Sequence, residues 1–140
     1  MKISIVYNRH EKPENSEYIE VHHSELQYIS DSTIKEIKII DTLDYVDLPE
    51  ELISVAISKL RYGGKLIISG YDIYLISQKI LSGKLNIEEI RKMLYNGRIN
   101  ISEFENIKSL IIKSGLNIEL INLSIETNKY LIIARKPNVS

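Results

Sequence analysis

The chain has 140 residues, 44% of them hydrophobic, which is enough for one core and too few for two ordinary domains, so a single domain over residues 1–140 is expected. Its 18 basic and 19 acidic side chains leave a net charge of −1, so nucleic-acid binding is unsupported, and the absence of cysteine excludes disulfides and thiolate zinc sites. No apolar run approaches the roughly 20 residues of a membrane span, and Met1-Lys2-Ile3-Ser4 turns polar too early for a signal peptide, so a cytoplasmic protein without membrane contact is expected.

In chain order, Ile3, Ile5 and Tyr7 alternate with Ser4 and Val6 and predict a first strand with one buried face. Residues 8–17 are polar and contain Pro13, which predicts a loop. Tyr18-Ile19-Glu20-Val21-His22 reads as a second short strand, and Glu25-Leu26-Gln27-Tyr28-Ile29 as a third at the sheet edge. Ile37, Ile39 and Ile40 mark the next strand. Asp47 can then cap a helix, with Glu50 completing a capping box and Pro49 in the first turn, where its missing amide costs nothing. Leu52, Ala56 and Leu60 recur every four residues, with Ile53, Val55 and Ile57 widening the stripe, so this helix buries one broad face. Gly63-Gly64 is expected to close it and turn the chain into the strand Lys65-Leu66-Ile67-Ile68-Ser69. A helix between two apolar strands is a crossover, so those strands should run parallel.

Asp72 can cap a helix over Ile73, Ile76 and Ile80 that stops at Gly83. Asn86 with Glu89, and Ser102 with Glu105, are two further capping signals. The first opens a helix ending at Gly97. The second opens one with Phe104, Ile107 and Ile111 on one face, closed by Gly115. Residues 117–124 and 130–134 then read as a hairpin around Glu126-Thr127-Asn128-Lys129. The fold class is α/β, with a mostly parallel sheet and a C-terminal antiparallel hairpin.

Two segments carry a resemblance. Asp31-Ser32-Thr33-Ile34-Lys35-Glu36-Ile37 through Thr42-Leu43-Asp44-Tyr45-Val46 resembles the D-N-S-V-D-E-I and V-L-E-H-L stretch of small class I S-adenosylmethionine-dependent methyltransferases. Leu60-Arg61-Tyr62-Gly63-Gly64-Lys65-Leu66 is similar to their L-K-P-G-G-K-L turn, with Tyr62 in place of proline. The resemblance runs from about Tyr18 to Lys136 and implies a Rossmann-like fold that ends in an antiparallel hairpin. Measured against that family, the N-terminal half has reduced helices. One face of the sheet should therefore be thinly covered there and shielded by a second copy or a partner chain.

In such folds ligands sit beyond the carboxyl ends of the strands, where strand order reverses. That brings together residues 7–9, 22–24, 41–45 and 69–72. The family has glycines in the first stretch, where the backbone approaches the cofactor, and an acid at the end of the second, which holds the ribose. Here Tyr7, Asn8 and Arg9 stand at the first and His22 and His23 at the second. Imidazole can bond a ribose hydroxyl, but it matches less well than a bidentate carboxylate. With Thr42, these five make the cofactor-side candidates for S-adenosylmethionine, in a site that reads as lost or altered.

Methyl transfer needs alignment, and a base where the acceptor must lose a proton. Asp41 and Asp44 are the candidate bases, against the alternative that they cap loops or are solvated. Tyr45, at the family's histidine position, Tyr71 and Asp72 are the candidate acceptor-binding residues, and Tyr74 and Tyr95 could line an acceptor pocket with Tyr71, although tyrosine equally supplies core and rim area with a polar tip. Adjacent His22 and His23 on a strand point to opposite faces, and with His10 they lack the spacing of a usual zinc site, so no metal is expected. Two functions stay open: a degenerate methyltransferase-like protein with an interaction role, as an oligomer or with a partner protein, and an active methyltransferase on a small-molecule or glycan acceptor.

Overall fold

The computed structural model describes residues 1–8 and 17–138. Among these residues six strands form one sheet: β1 (Lys2–Val6), β2 (Ile19–His22), β3 (Ile34–Ile40), β4 (Leu60–Tyr71), β5 (Asn117–Ser124) and β6 (Lys129–Arg135), in the order β2-β1-β3-β4-β6-β5. The first four run parallel, and β6 pairs antiparallel with both β4 and β5. The described residues also form four α-helices: α1 (Pro49–Lys59) between β3 and β4, then α2 (Ile73–Leu81), α3 (Ile87–Leu94) and α4 (Phe104–Lys113) between β4 and β5. The chain leaves β1 toward β2 and returns to β3 on the other side, so strand order reverses between β1 and β3.

The core lies on one face of this sheet. Ile3 and Ile5 of β1, Ile37 and Ile39 of β3, Leu66 and Ile68 of β4, and Tyr130, Ile132 and Ala134 of β6 alternate inward. They meet Leu52, Ile53 and Ala56 of α1 and Phe104, Ile107 and Ile111 of α4. Of the alternate residues on the other face, Ser4, Glu36, Lys38, Ile67, Ser69, Leu131 and Ile133 are half-buried, Val6 is buried and Ile40 is exposed. Lys2 pairs with Glu36 at 3.5 Å and the Lys38 ammonium lies 3.9 Å from the centre of the Tyr18 ring. Over β1 and β3 this face carries Lys2, Ser4, Glu36 and Lys38, unlike the two-sided apolar strands of most parallel sheets.

Several sequence expectations hold. The β3–α1–β4 unit is a parallel crossover, Asp72 caps α2, and Asn86 with Glu89 forms a capping box on α3, with bonds of 2.9 and 3.3 Å. Others need correction. Residues 25–29 belong mostly to a 3₁₀ turn (His23–Tyr28), because only Leu26 of that turn is buried and there is no alternation to hold a strand. Helix α1 starts from Leu48 without a side-chain cap, so Asp47 and Glu50 form no capping box there, although Pro49 takes the first position as expected.

The glycine pair does not end that helix. Helix α1 stops at Lys59, whose ammonium binds Asp31 at 2.7 Å, while the amides of Ser32 and Thr33 take up the carbonyls of Ser58 and Lys59. The glycines instead form an irregularity inside β4, where the pairing with β3 jumps from Ile34–Leu60 to Glu36–Lys65. Gly63 has φ +79°, and a Cβ on Gly64 would stand 2.8 Å from the Arg61 carbonyl and 3.1 Å from that of Ile34. Likewise α4 is preceded by Glu103 with no side-chain cap, because Ser102 turns inward to another partner.

Candidate functional site

A cleft of about 510 Å³ opens beyond the carboxyl ends of β1, β3 and β4 and the start of β6, at the point where strand order reverses. Tyr7, Asn8, Asp41, Thr42, Tyr45 and Tyr71 line it, so three of the four converging stretches meet there, joined by Arg98 and Lys129. Arg9 and His10 lie outside the described residues.

The fourth stretch goes elsewhere. His22 accepts from the Ser24 amide and has its Nδ1 2.7 Å from the Ser24 hydroxyl, and His23 lines a separate groove with Asp47 and Leu48. Because the strand ends at His22, the two rings do not point to opposite faces; they pack with centroids 4.3 Å apart. Burial, and then the neighbouring His22, lowers the pKa of His23. Among the described residues no group of three or more His, Asp and Glu side chains is placed to hold a metal ion.

Most of the cleft's polar groups already have partners. Thr42 is buried, and its hydroxyl lies 3.0 Å from both the Ile5 and the Ile40 carbonyls, tying the end of β1 to the end of β3. Asp41 sits at φ +53°, a left-handed conformation unusual outside glycine, and its Oδ2 binds the Lys129 ammonium at 2.9 Å. Asp44 is buried. Its Oδ1 accepts from the Ser102 hydroxyl at 3.1 Å and its Oδ2 lies 3.4 Å from Arg98 Nε, a charge contact without hydrogen-bond geometry. Burial raises the Asp44 pKa, although Ser102 and Arg98 both pull it down. Asp72 is buried away from the cleft, accepting from the amides of Leu75 at 3.4 Å and Phe104 at 3.0 Å. Its carboxylate holds α2 to α4.

The aromatic groups form a column. The rings of Tyr7 and Tyr45 stack with centroids 4.0 Å apart and planes 10° from parallel. The Arg98 guanidinium lies 5.0 Å from the Tyr45 ring and 5.1 Å from the Tyr71 ring, and the Lys129 ammonium lies 4.9 Å from Tyr71. Burial raises the Tyr45 pKa. Tyr74 and Tyr95 are exposed and take no part. Sequence reasoning missed Arg98 and Lys129. The available signals were Gly97, at φ +78° directly before the arginine, and the position of Lys129 at the foot of the last strand.

No protein-family model matches this chain, and no curated protein matches it. Solved structures do. A SAM-dependent methyltransferase from Thermotoga maritima aligns at 16% identity over 85% of this chain and 63% of its own, with a TM-score of 0.58. An O-methyltransferase family protein from Burkholderia thailandensis aligns at 14% over 88% and 36%, with a TM-score of 0.62. A chain of the complex between the Haloferax volcanii Trm112 methyltransferase activator and a methyltransferase aligns at 9% over 86% and 62%, with a TM-score of 0.59. This is the class I S-adenosylmethionine-dependent methyltransferase fold. The chain spans less than two thirds of each of those three structures. In this fold Tyr7 and Asn8 follow the end of β1, and the neighbouring strand β2 ends in His22.

Proposed function

We propose that this chain is a methyltransferase-like protein that has lost cofactor binding and acts through interaction, not methyl transfer. The observation carrying this reading is the Tyr7–Tyr45 stack capped by Arg98, which fills the cleft wall beside β1 with the protein's own side chains. The engaged hydroxyl of Thr42 supports it, as do Asp44 and Asp72, which are bound to internal partners and do not line the cleft. An interaction role has a parallel in the solved complex of a methyltransferase with an activator protein.

Thermal unfolding with millimolar S-adenosylmethionine or S-adenosylhomocysteine tests the proposal. A ligand at about 100 times its dissociation constant stabilises the folded state by about 2.7 kcal/mol, worth several degrees in a domain of this size. We expect a shift below about 1 °C with either compound, and a rise of several degrees would overturn the proposal. That rise would favour the second reading, an active methyltransferase on a small-molecule or glycan acceptor. The cleft volume of about 510 Å³ supports this second reading, as does the Asp41 Oδ1, which has no hydrogen-bond partner among the described residues and would then be the base.

A further inference from the structure

We propose that two copies of this chain associate through β5, pairing it antiparallel with itself about a two-fold axis through Asn122. The inference stands apart from the question of the cofactor, because β5 lies at the far edge of the sheet from the cleft's β1 wall.

An edge strand presents a row of unpaired amides and carbonyls, and proteins usually blunt such edges by brevity, proline, lysine or a covering element. The β2 edge is blunt in this sense: it has four residues, including Glu20 and His22. The β5 edge is not. It has eight residues, Asn-Ile-Glu-Leu-Ile-Asn-Leu-Ser, with neither proline nor lysine. Its one charge, Glu119, is paired with Arg135 of the adjacent β6 at 3.0 Å, and its one irregularity falls between Ile118 and Leu120. From Leu120 onward the strand is regular, and its large side chains remain uncovered on both faces: Leu120 at 45% exposure, Ile121 at 43% and Leu123 at 43%.

The sequence chooses the occupant and the register. Antiparallel pairing about Asn122 sets Ile121 against Leu123 of the second copy, twice over on one face, and Leu120 against Ser124 on the other. The two Asn122 side chains then meet at the axis, where each carboxamide is both donor and acceptor for the other. Glu119 faces Ile125, so no like charges are opposed. Centring on Ile121 would oppose Leu120 to Asn122 and Glu119 to Leu123, and centring on Leu120 would oppose Glu119 to Ile121. Centring on Leu123 would set Leu120 and Ile121 against Glu126 and Ile125, which lie in the turn beyond the end of β5, whereas Asn122 is the midpoint of the regular segment 120–124 and keeps these pairs within the strand. A closed isologous pair about Asn122 uses up the free β5 edge of both copies.

Light scattering after size exclusion at tens of micromolar should give twice the 16.2 kDa chain mass. Leu123→Lys should return it to the single-chain mass, and Asn122→Lys should do the same should the first variant misfold. Ile19→Lys on the opposite edge should leave the mass doubled. Because the chain has no cysteine, Asn122→Cys should give a disulfide-linked dimer on mild oxidation, whereas Leu120→Cys should not. A single-chain mass for the unaltered protein, an open-ended series of larger masses, or a dimer indifferent to lysine on β5 would each overturn the proposal.

Discussion

Arg98→Met is expected to cost about 3 kcal/mol at pH 8, a fall of roughly 10 °C in the unfolding midpoint. The Arg98 side chain is 9% exposed and the Asp44 side chain 10%. Methionine keeps much of the packing between Tyr45 and Tyr71, so the loss falls on the charge left behind: Asp44 would retain the Ser102 hydroxyl but no cation. Removing one partner of a buried pair costs more than the pair itself contributes, because the survivor stays desolvated. The deficit should depend on pH in a stated direction. Burial already raises the Asp44 pKa, and losing Arg98 raises it further. A carboxyl with a raised folded pKa contributes stability that is present below its unfolded value and lost as pH rises through its folded value. The cost of Arg98→Met should therefore be smallest at acid pH, where Asp44 takes up a proton, and grow toward pH 8. Denaturant unfolding of both proteins at pH 5 and pH 8 measures this, and a deficit below about 0.5 kcal/mol at pH 8, or one independent of pH, would refute it.

The arginine shows why the site was harder to read than the fold. Strand and helix periodicities are local, and they placed β1 and the closing hairpin within a residue or two of where they lie, and found β3, α1 and β4 in the right order although β4 begins at Leu60, five residues before the expected Lys65. Where local chemistry offered two outcomes, tertiary contacts chose. Ser102 is a good helix cap by sequence, yet it donates to the buried carboxylate of Asp44, 58 residues away. Gly63 and Gly64 suit a helix stop, yet the helix had already been stopped by Lys59 and its partners before β3, which left the glycines to absorb the irregularity in β4.

The cleft itself follows from strand order, so the meeting of Tyr7, Asp41, Thr42, Tyr45 and Tyr71 was legible once the crossover was assigned. What those side chains do there was not. No pattern along the chain says that Tyr7 and Tyr45 stack, or that Arg98 and Lys129, contributed by distant segments, close on them. The histidines went astray for the same reason. Their placement depended on the turn after β2, which takes His23 out of the strand and into a different groove.

Tyr130→Ala should be the most destabilising single change at the junction of site and core, at about 3–5 kcal/mol, whereas Tyr130→Phe should cost only about 0.5–1 kcal/mol. The ring is 1% exposed, packs 6.1 Å from Phe104 centre to centre, and lies over Gly70, where an added Cβ would come within 3.3 Å of the phenolic oxygen. Glycine on β4 thus makes the space that tyrosine on β6 fills, and alanine at 130 would leave a cavity that a rigid sheet cannot close. The hydroxyl adds less, because its bond to Ser102 is long at 3.4 Å. The Tyr130 hydroxyl donates to Ser102 Oγ, which leaves the Ser102 proton for Asp44. That ordering makes Tyr130→Phe and Ser102→Ala steps along one chain of hydrogen bonds, and the double variant should cost less than the two single changes added together. Denaturant unfolding of the four proteins measures both claims. A loss below about 1 kcal/mol for Tyr130→Ala would mean that the sheet closes around the vacancy. Strict additivity of the other pair would mean that Tyr130 and Asp44 are not linked through Ser102.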